Sequence, residues 1–192
     1  MRFSQYILTI ALLVGLVPAQ AQPDAESDGS AWQLLQTGEA VAIMRHALAP
    51  GGGDPAGFSL DDCATQRNLS DEGRKQATDA GELLRSKGIS AAQVLTSQWC
   101  RCEETARLLD VGTVTPAPML NSFFQNRSTA EEQTQQLIEA LQNWAKAPGT
   151  VRVLVTHQVN ISALTSEFAR SGEILIVSLQ DDNVQVLLRV PT

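Results

Sequence analysis

Positive charge is scarce in this sequence. Its 192 residues hold 14 Lys and Arg against 21 Asp and Glu, a net charge of −7 with the histidines neutral. A chain this acidic has no general attraction for nucleic acid, and any anion it holds must be met by a local cluster of cations. Histidine is scarcer still: the chain has two, His46 and His157. They lie far apart in sequence with no carboxylates clustered beside them, which is no recognisable metal-ligand spacing, so no metal is expected. No internal repeat, low-complexity tract or inter-domain linker is visible. Beyond the N-terminal segment no run is apolar enough to cross a bilayer.

That N-terminal segment, MRFSQYILTIALLVGLVPAQAQ, has a positive start at Arg2, an apolar stretch from Tyr6 to Val17 and an Ala19-Gln20-Ala21 ending. This is the pattern of a secretory signal cleaved after Ala21, and the stretch is short for a membrane anchor. Residues 1–21 are therefore read as a signal peptide and 22–192 as a single domain, long enough for a substantial core and periplasmic or secreted. No stable membrane insertion is expected after cleavage. The three cysteines, Cys63, Cys100 and Cys102, then face an oxidising compartment. An odd count predicts one internal disulfide and one thiol left over. Cys63 falls in a loop, and its partner is either Cys100 or Cys102.

Strand and helix patterns alternate along the remainder. Gln22–Gly29 reads as a loose polar leader and SAWQLLQTG as a short helix. EAVAIM is a compact apolar run suited to a buried strand, and Ala47–Asn68 is a loop rich in glycine and proline. Ser70 caps a helix running to Lys87, with Ala77, Ala80, Gly81 and Leu84 on one stripe. AQVLTS is a strand, WCRCEETARLLD a helix, and TVTPAPML an extended edge segment. Ser128 and Glu131 have capping-box spacing ahead of a helix whose inner stripe is Leu137, Ile138, Leu141, Trp144 and Ala145. VRVLVT is a strand, and QVNISALTSEFA a helix turning Ile161, Leu164 and Phe168 inward. EILIVSL and VQVLLRV form a closing hairpin around Asp181-Asp182-Asn183. The three tryptophans read as core. The order predicts an α/β fold: a three-layer α/β/α sandwich with a mostly parallel sheet and an antiparallel edge pair.

Three junctions in this plan carry unusual residues. The first strand ends in Arg45-His46, the second leads to Arg101 in the first turn of a helix, and a later one ends in Thr156-His157. Ligands of open α/β sheets gather beyond the carboxyl ends of the strands. Two guanidiniums, two imidazoles and helix N-termini meeting there would form a phosphoryl-transfer site, because arginine matches phosphate geometry and neutral histidine attacks phosphorus. Each residue alone has a plainer reading, such as Arg101 pairing with Glu104 on its own helix.

At this point the sequence resembles the histidine phosphatase superfamily, whose members share the phosphoglycerate mutase-like fold. MRHA is similar to the family's Arg-His-Gly signature, and LSDEGRKQA to its Leu-Thr-x-x-Gly-x-x-Gln-Ala segment. SQWCRCEETA is similar to Ser-x-x-x-Arg-x-x-x-Thr-Ala, and LVTHQVNI to the strand ending in the second histidine. The resemblance implies that His46 is phosphorylated in turnover, that Arg45 and Arg101 bind phosphate, and that His157 completes the pocket. Ala47 departs from the family glycine, which restricts the backbone beside the nucleophile. Ser122 stands where many members carry a proton-donating glutamate.

The resulting expectation is an exported phosphomonoester hydrolase without cofactors. Its substrate is a small phosphorylated molecule or an envelope glycan phosphate, with a sugar phosphate preferred and nucleic acid excluded. The proton donor is unassigned; Asp54, Asp61, Glu131 and Glu132 are candidates whose plainer reading is solvated loop or cap. Asn160 and Gln158 are expected to hydrogen-bond near His157, with Asn160 taken as substrate-binding against a plainer reading as support for the loop, and Arg67 either widens the basic patch or makes a surface salt bridge. The missing glutamate motivates an alternative, a non-catalytic module binding phosphorylated ligands. A thiol hydrolase built on Cys100 or Cys102 with His157 leaves the arginines without a role.

Overall fold

The structure, a computed structural model, describes residues 25–180 and 183–192. The signal-peptide reading and the Asp181-Asp182 part of the final turn lie outside them. Helix α1 (Ala25–Thr37) is followed by β1 (Val41–Arg45), α2 (Asp71–Ser86), β2 (Ala92–Thr96), α3 (Cys100–Leu109), β3 (Gly112–Pro116), α4 (Ala130–Lys146), β4 (Arg152–Thr156), α5 (Gln158–Thr165), β5 (Ile174–Gln180) and β6 (Asn183–Val190). The six strands form one sheet in the order β3-β2-β4-β1-β5-β6. The first four are mutually parallel; β5 runs antiparallel to β1, and β6 antiparallel to β5. The expected α/β/α sandwich, with its antiparallel pair at one edge, is what forms.

Alternation along the strands builds two cores. Ala42 and Met44 of β1, Val153 and Val155 of β4 and Val94 of β2 face α1, α2 and α3. Val41 and Ile43, Leu154 and Leu95 face the opposite way, against Leu137 and Leu141 of α4 and Ile161 and Leu164 of α5. A strand sandwiched between helix layers must be apolar on both faces, which is why Val41–Met44 of β1 and Val153–Val155 of β4 are unbroken apolar runs.

Helix α2 shows why its motif has the residues it has. The Ser70 hydroxyl accepts from the Gly73 N–H and caps the helix, with Asp71 and Glu72 at its positive end. A Cβ on Gly73 would sit 2.1 Å from the Leu48 carbonyl oxygen, so only glycine lets the chain after β1 lie against this turn. Gln76 then accepts from the Leu48 N–H at 3.0 Å and donates to the Ser171 carbonyl at 2.8 Å. The LSDEGRKQA segment thus holds the chain that leaves β1 in place.

Five local expectations are corrected. Helix α1 begins at Ala25, inside the stretch expected to be a loose leader. The Ser128–Glu131 capping box does not form. Ser128 sits in a 3-10 turn (Arg127–Thr129) and gives its hydroxyl to Asn126 Oδ1 at 2.6 Å, so α4 starts at Ala130 without a side-chain cap. Ala145 on that helix is exposed. The extended segment stops at Pro116, and Pro118–Leu120 is a 3-10 turn. Helix α5 ends at Thr165 because Ser166 turns left-handed, at φ 62°, and returns its N–H to the Ser162 carbonyl. Phe168 therefore lies beyond the helix and is 62% exposed instead of turned inward.

Candidate active site

Strands β2, β4 and β1 are neighbours in the sheet, and each releases a polar residue directly from its carboxyl end: Ser97, His157 and His46. Register fixes the two histidines side by side, since Arg45 pairs with Thr156 and the His46 N–H donates to the Thr156 carbonyl at 2.9 Å. Their ring centroids are 5.4 Å apart.

The His46 ring is buried, and its Nδ1 lies 2.8 Å from the Ala47 carbonyl oxygen. A carbonyl only accepts, so Nδ1 carries the proton and Nε2 keeps its lone pair. Burial first, then the charge of Arg101, pushes the His46 pKa down to about 3. The imidazole is thus neutral at any ordinary pH, the state in which it is a nucleophile. Ala47, which replaces the family glycine, is fully buried and donates its N–H to Thr105 Oγ1 at 3.1 Å; Asp110 and Ser166 are the described non-glycine residues at positive φ. The backbone here needs no left-handed residue, so alanine brings no strain.

His157 is placed by a chain of hydrogen bonds. Its Nδ1 is 3.4 Å from Arg101 Nη2, which only donates, so the ring proton resides on Nε2 and goes to Ser97 Oγ at 2.8 Å. Ser97 in turn donates to Asn121 Oδ1 at 3.3 Å, and the Asn121 amide donates to Gln98 Oε1 at 2.8 Å. Burial, then His46 and Arg101, holds the His157 pKa well below its ordinary value. Asn160, expected to bind substrate, is buried behind this chain; its amide donates to the Asn121 carbonyl at 2.9 Å, and it does not line the cavity.

Arg45, Arg67 and Arg101 converge on a cavity of about 270 Å³ that His46 and His157 also line. Arg45 donates to the Ala169 carbonyl at 3.0 Å. Arg67 braces the loop after β1 through the carbonyls of Gly53, at 2.7 Å, and Ala49. Burial first, and then the charge of Arg101, pulls Arg45 and Arg67 below the usual guanidinium value. Crowded cations of this kind are relieved by an anion. The Nε–H groups of Arg45 and Arg101 are shielded from solvent and have no protein partner. Unpaired buried N–H donors are rare, and these two belong to side chains that line the cavity.

Asp54 is not the solvated loop residue it was read as. Its carboxylate takes Arg101 Nη1 at 2.6 Å, Arg101 Nη2 at 3.1 Å and the Trp99 indole N–H at 3.0 Å. Arg101 consequently has nothing to do with Glu104, which binds Arg74. Burial alone would raise the Asp54 pKa, but the hydrogen bonds and charge of Arg101 outweigh it and hold the carboxyl below its usual range. Among the described residues lining the cavity Asp54 is the one carboxylate; Ser122 also lines it, whereas Asp61, Glu131 and Glu132 are exposed elsewhere. Phe124, Phe168 and Trp99, unassigned or read as core from sequence, line it too. The sequence signal for this loop was its Gly51-Gly52-Gly53-Asp54 run, too short and too common a pattern to place.

Cys63 and Cys100 form a disulfide, which resolves the open pairing, and Cys102 is a buried free thiol. The bridge ties the loop bearing Asp54 and Arg67 to the residue before Arg101. Cys102 Sγ lies 3.4 Å from His157 Nε2, but burial pushes its pKa up to about 12, which disfavours a resting thiolate nucleophile. Among the described residues no group of three or more His, Cys, Asp or Glu is placed to hold a metal ion.

Comparison with known proteins gives the following. Residues 43–121 match the model of the Histidine phosphatase superfamily (branch 1), as the sequence motifs implied. No curated protein matches the chain. Solved structures share its fold at low identity. The protein histidine phosphatase SixA complexed with tungstate is 20% identical with a TM-score of 0.54, over 78% of this chain and 95% of that one. The alpha-ribazole phosphatase from Shigella flexneri is 16% identical with a TM-score of 0.54, over 77% and 94%. A mycobacterial glucosyl-3-phosphoglycerate phosphatase is 17% identical with a TM-score of 0.55, over 77% and 96%. The fold is therefore that of the phosphoglycerate mutase-like histidine phosphatases.

Proposed function

We propose that the chain is an exported phosphatase that hydrolyses a phosphomonoester through a phosphohistidine on His46. The observation that carries this reading is the free Nε2 lone pair of a neutral, buried imidazole, set among the unpartnered Nε–H donors of Arg45 and Arg101. The phosphoryl dianion rests on the guanidinium groups of Arg45 and Arg101 that line the cavity, and Nε2 attacks phosphorus in line with the ester oxygen. The N–P bond forms as the P–O bond breaks, and the leaving oxygen takes a proton from a solvent water in the cavity. Water then attacks the phosphorus, the P–N bond breaks, and inorganic phosphate departs with His46 restored. Arg45 and Arg101 offset charge on the transferring group throughout. His157 is held neutral by burial and by its cationic neighbours; an arriving dianion opposes that effect and favours uptake of a solvent proton by the ring, whose positive charge then offsets that of the phosphoryl group. Asp54 is engaged with Arg101 and held ionised, so it supplies no proton.

A sugar phosphate of the cell envelope is the substrate we favour. The N-terminal leader pattern, a disulfide compatible with export and a neighbour named for a glycosylated phosphate support this. No helix among the described residues is long and apolar enough to cross a membrane.

Ser122 in place of an acid favours a second reading, a module that binds phosphorylated ligands without turning them over. Incubation with a radiolabelled phosphodonor separates the two. The phosphatase reading expects acid-labile, base-stable label on wild type, none on His46→Ala, and release of inorganic phosphate. Saturable phosphate binding with neither label nor release, across aryl and sugar phosphates, leaves only the module.

A further inference from the structure

Among the described residues two large apolar side chains stand exposed, Phe124 at 54% and Phe168 at 62%. Single exposed apolar residues need no explanation. These two, however, come from separate connections, after β3 and after α5, and both line the cavity that holds the histidines and arginines. Exposed aromatic surface gathered at one cavity marks a binding surface.

Both rings are set on held backbone. Phe168 is flanked by Ala169, whose N–H donates to Gln158 Oε1 at 3.0 Å, and its own carbonyl accepts from Arg189 at 2.5 Å. Its ring lies 5.8 Å from the Arg45 guanidinium carbon, at the edge of the phosphate end. The Phe124 N–H donates to Ser122 Oγ at 3.3 Å, and its ring faces Gly53, where an added methyl would sit 3.7 Å from Cε1. Three glycines on that wall leave room beside the ring. The polar groups around them are largely engaged. The Gln158 amide serves Ser162, Glu167 and Ala169, Gln125 donates to the Asp54 carbonyl at 3.4 Å, and the Asp54 carboxylate is taken by Arg101. What the outer cavity offers a ligand is chiefly aromatic face.

We infer that the outer cavity is a ring-binding subsite, in which Phe124 and Phe168 receive the flat face of a six-membered ring carrying the phosphate. This rests on the phosphatase reading for the position of the phosphate end. A pyranose, with its axial C–H groups, and an aryl ring present the same chemistry to an aromatic face, and short acyclic phosphates do not.

Phosphonates, whose P–C bond is not hydrolysed, test binding apart from turnover. Calorimetric titration would compare phenylphosphonate, a pyranosyl C-phosphonate and methylphosphonate on wild type, Phe124→Ala, Phe168→Ala and the double variant. At least one ring compound is expected to bind about tenfold more tightly than methylphosphonate, and the double variant to lose that advantage to within about twofold. Methylphosphonate affinity controls for disturbance of Arg45, and the ring compound that gains identifies the source. Equal affinity for all three compounds, or a ring preference that survives the double substitution, overturns the subsite. Ring preference in a protein that forms no phosphohistidine would leave the subsite standing and remove the catalytic reading.

Discussion

Asp54 grips Arg101 across 47 residues of sequence, with both side chains at 5% exposure or less. Its two oxygens cover Nη1 and Nη2 and leave the Nε–H free. The carboxylate therefore neutralises part of the cation and fixes its plane. Removing the acid while keeping its shape leaves a buried guanidinium without a counter-charge, a loss of about 3 to 5 kcal/mol when one partner of a buried pair is deleted. Urea denaturation of Asp54→Asn should show destabilisation near the lower end of that range, because the amide oxygen still accepts one bond. Phosphatase turnover should fall with it. An unchanged urea midpoint would show that the pair does not exist in solution.

The Cys63–Cys100 bridge closes 37 residues of sequence separation. Loop-closure entropy assigns a cross-link of that length about 4 kcal/mol of stabilisation. The Cys63→Ala/Cys100→Ala double variant should unfold at correspondingly lower urea, and its KM for any phosphomonoester should rise, because the loop it frees carries Arg67 and Asp54. Thiol titration of denatured, unreduced wild type should return one thiol per chain; three would sink the bridge.

That one thiol is Cys102. It is fully buried beside His157, with a pKa pushed up to about 12. Native protein should resist alkylation for hours, and Cys102→Ala should keep kcat within about threefold while losing roughly 1 to 2 kcal/mol for the small cavity. Loss of all turnover in a folded Cys102→Ala protein would revive the thiol chemistry that the structure disfavours.

The parts of this site that were legible in the sequence are those fixed by local pattern. Arg45, His46 and His157 sit where an apolar strand ends, and Arg101 where a helix begins, so recognising the elements places the side chains. The sheet order then supplies the convergence. What was not legible depends on long-range folding of irregular chain. Asp54 reads as a loop carboxylate because nothing nearby reveals that the loop folds onto Arg101. Phe168 keeps helical spacing with Ile161 and Leu164, and only the left-handed turn at Ser166 takes it off that face. Asn160 shares the turn of His157 but gives its amide N–H to the Asn121 carbonyl, which comes from beyond β3. Spacing identifies which residues share an element, and loops decide what else they meet.

Acid sensitivity follows from the buried histidines. In the unfolded chain His46 takes up a proton near pH 6.5, and in the fold only near pH 3. Above pH 6.5 both states are neutral and this group adds no pH dependence. Below it the unfolded state binds a proton that the native state refuses, so stability drops by about 1.4 kcal/mol per pH unit until the native ring also titrates. At pH 5 the loss from His46 is about 2 kcal/mol, and His157, shifted the same way, adds to it. Urea midpoints at pH 7.5 and pH 5 should therefore diverge more for wild type than for His46→Gln, whose side chain does not titrate. The nitrogen proposed to attack remains unprotonated across this range, so phospho-enzyme formation should survive at pH 5 in the fraction that stays folded. Identical pH slopes for the two proteins would mean that His46 is solvated and ordinarily basic, and the nucleophile assigned to it would then be protonated in mild acid.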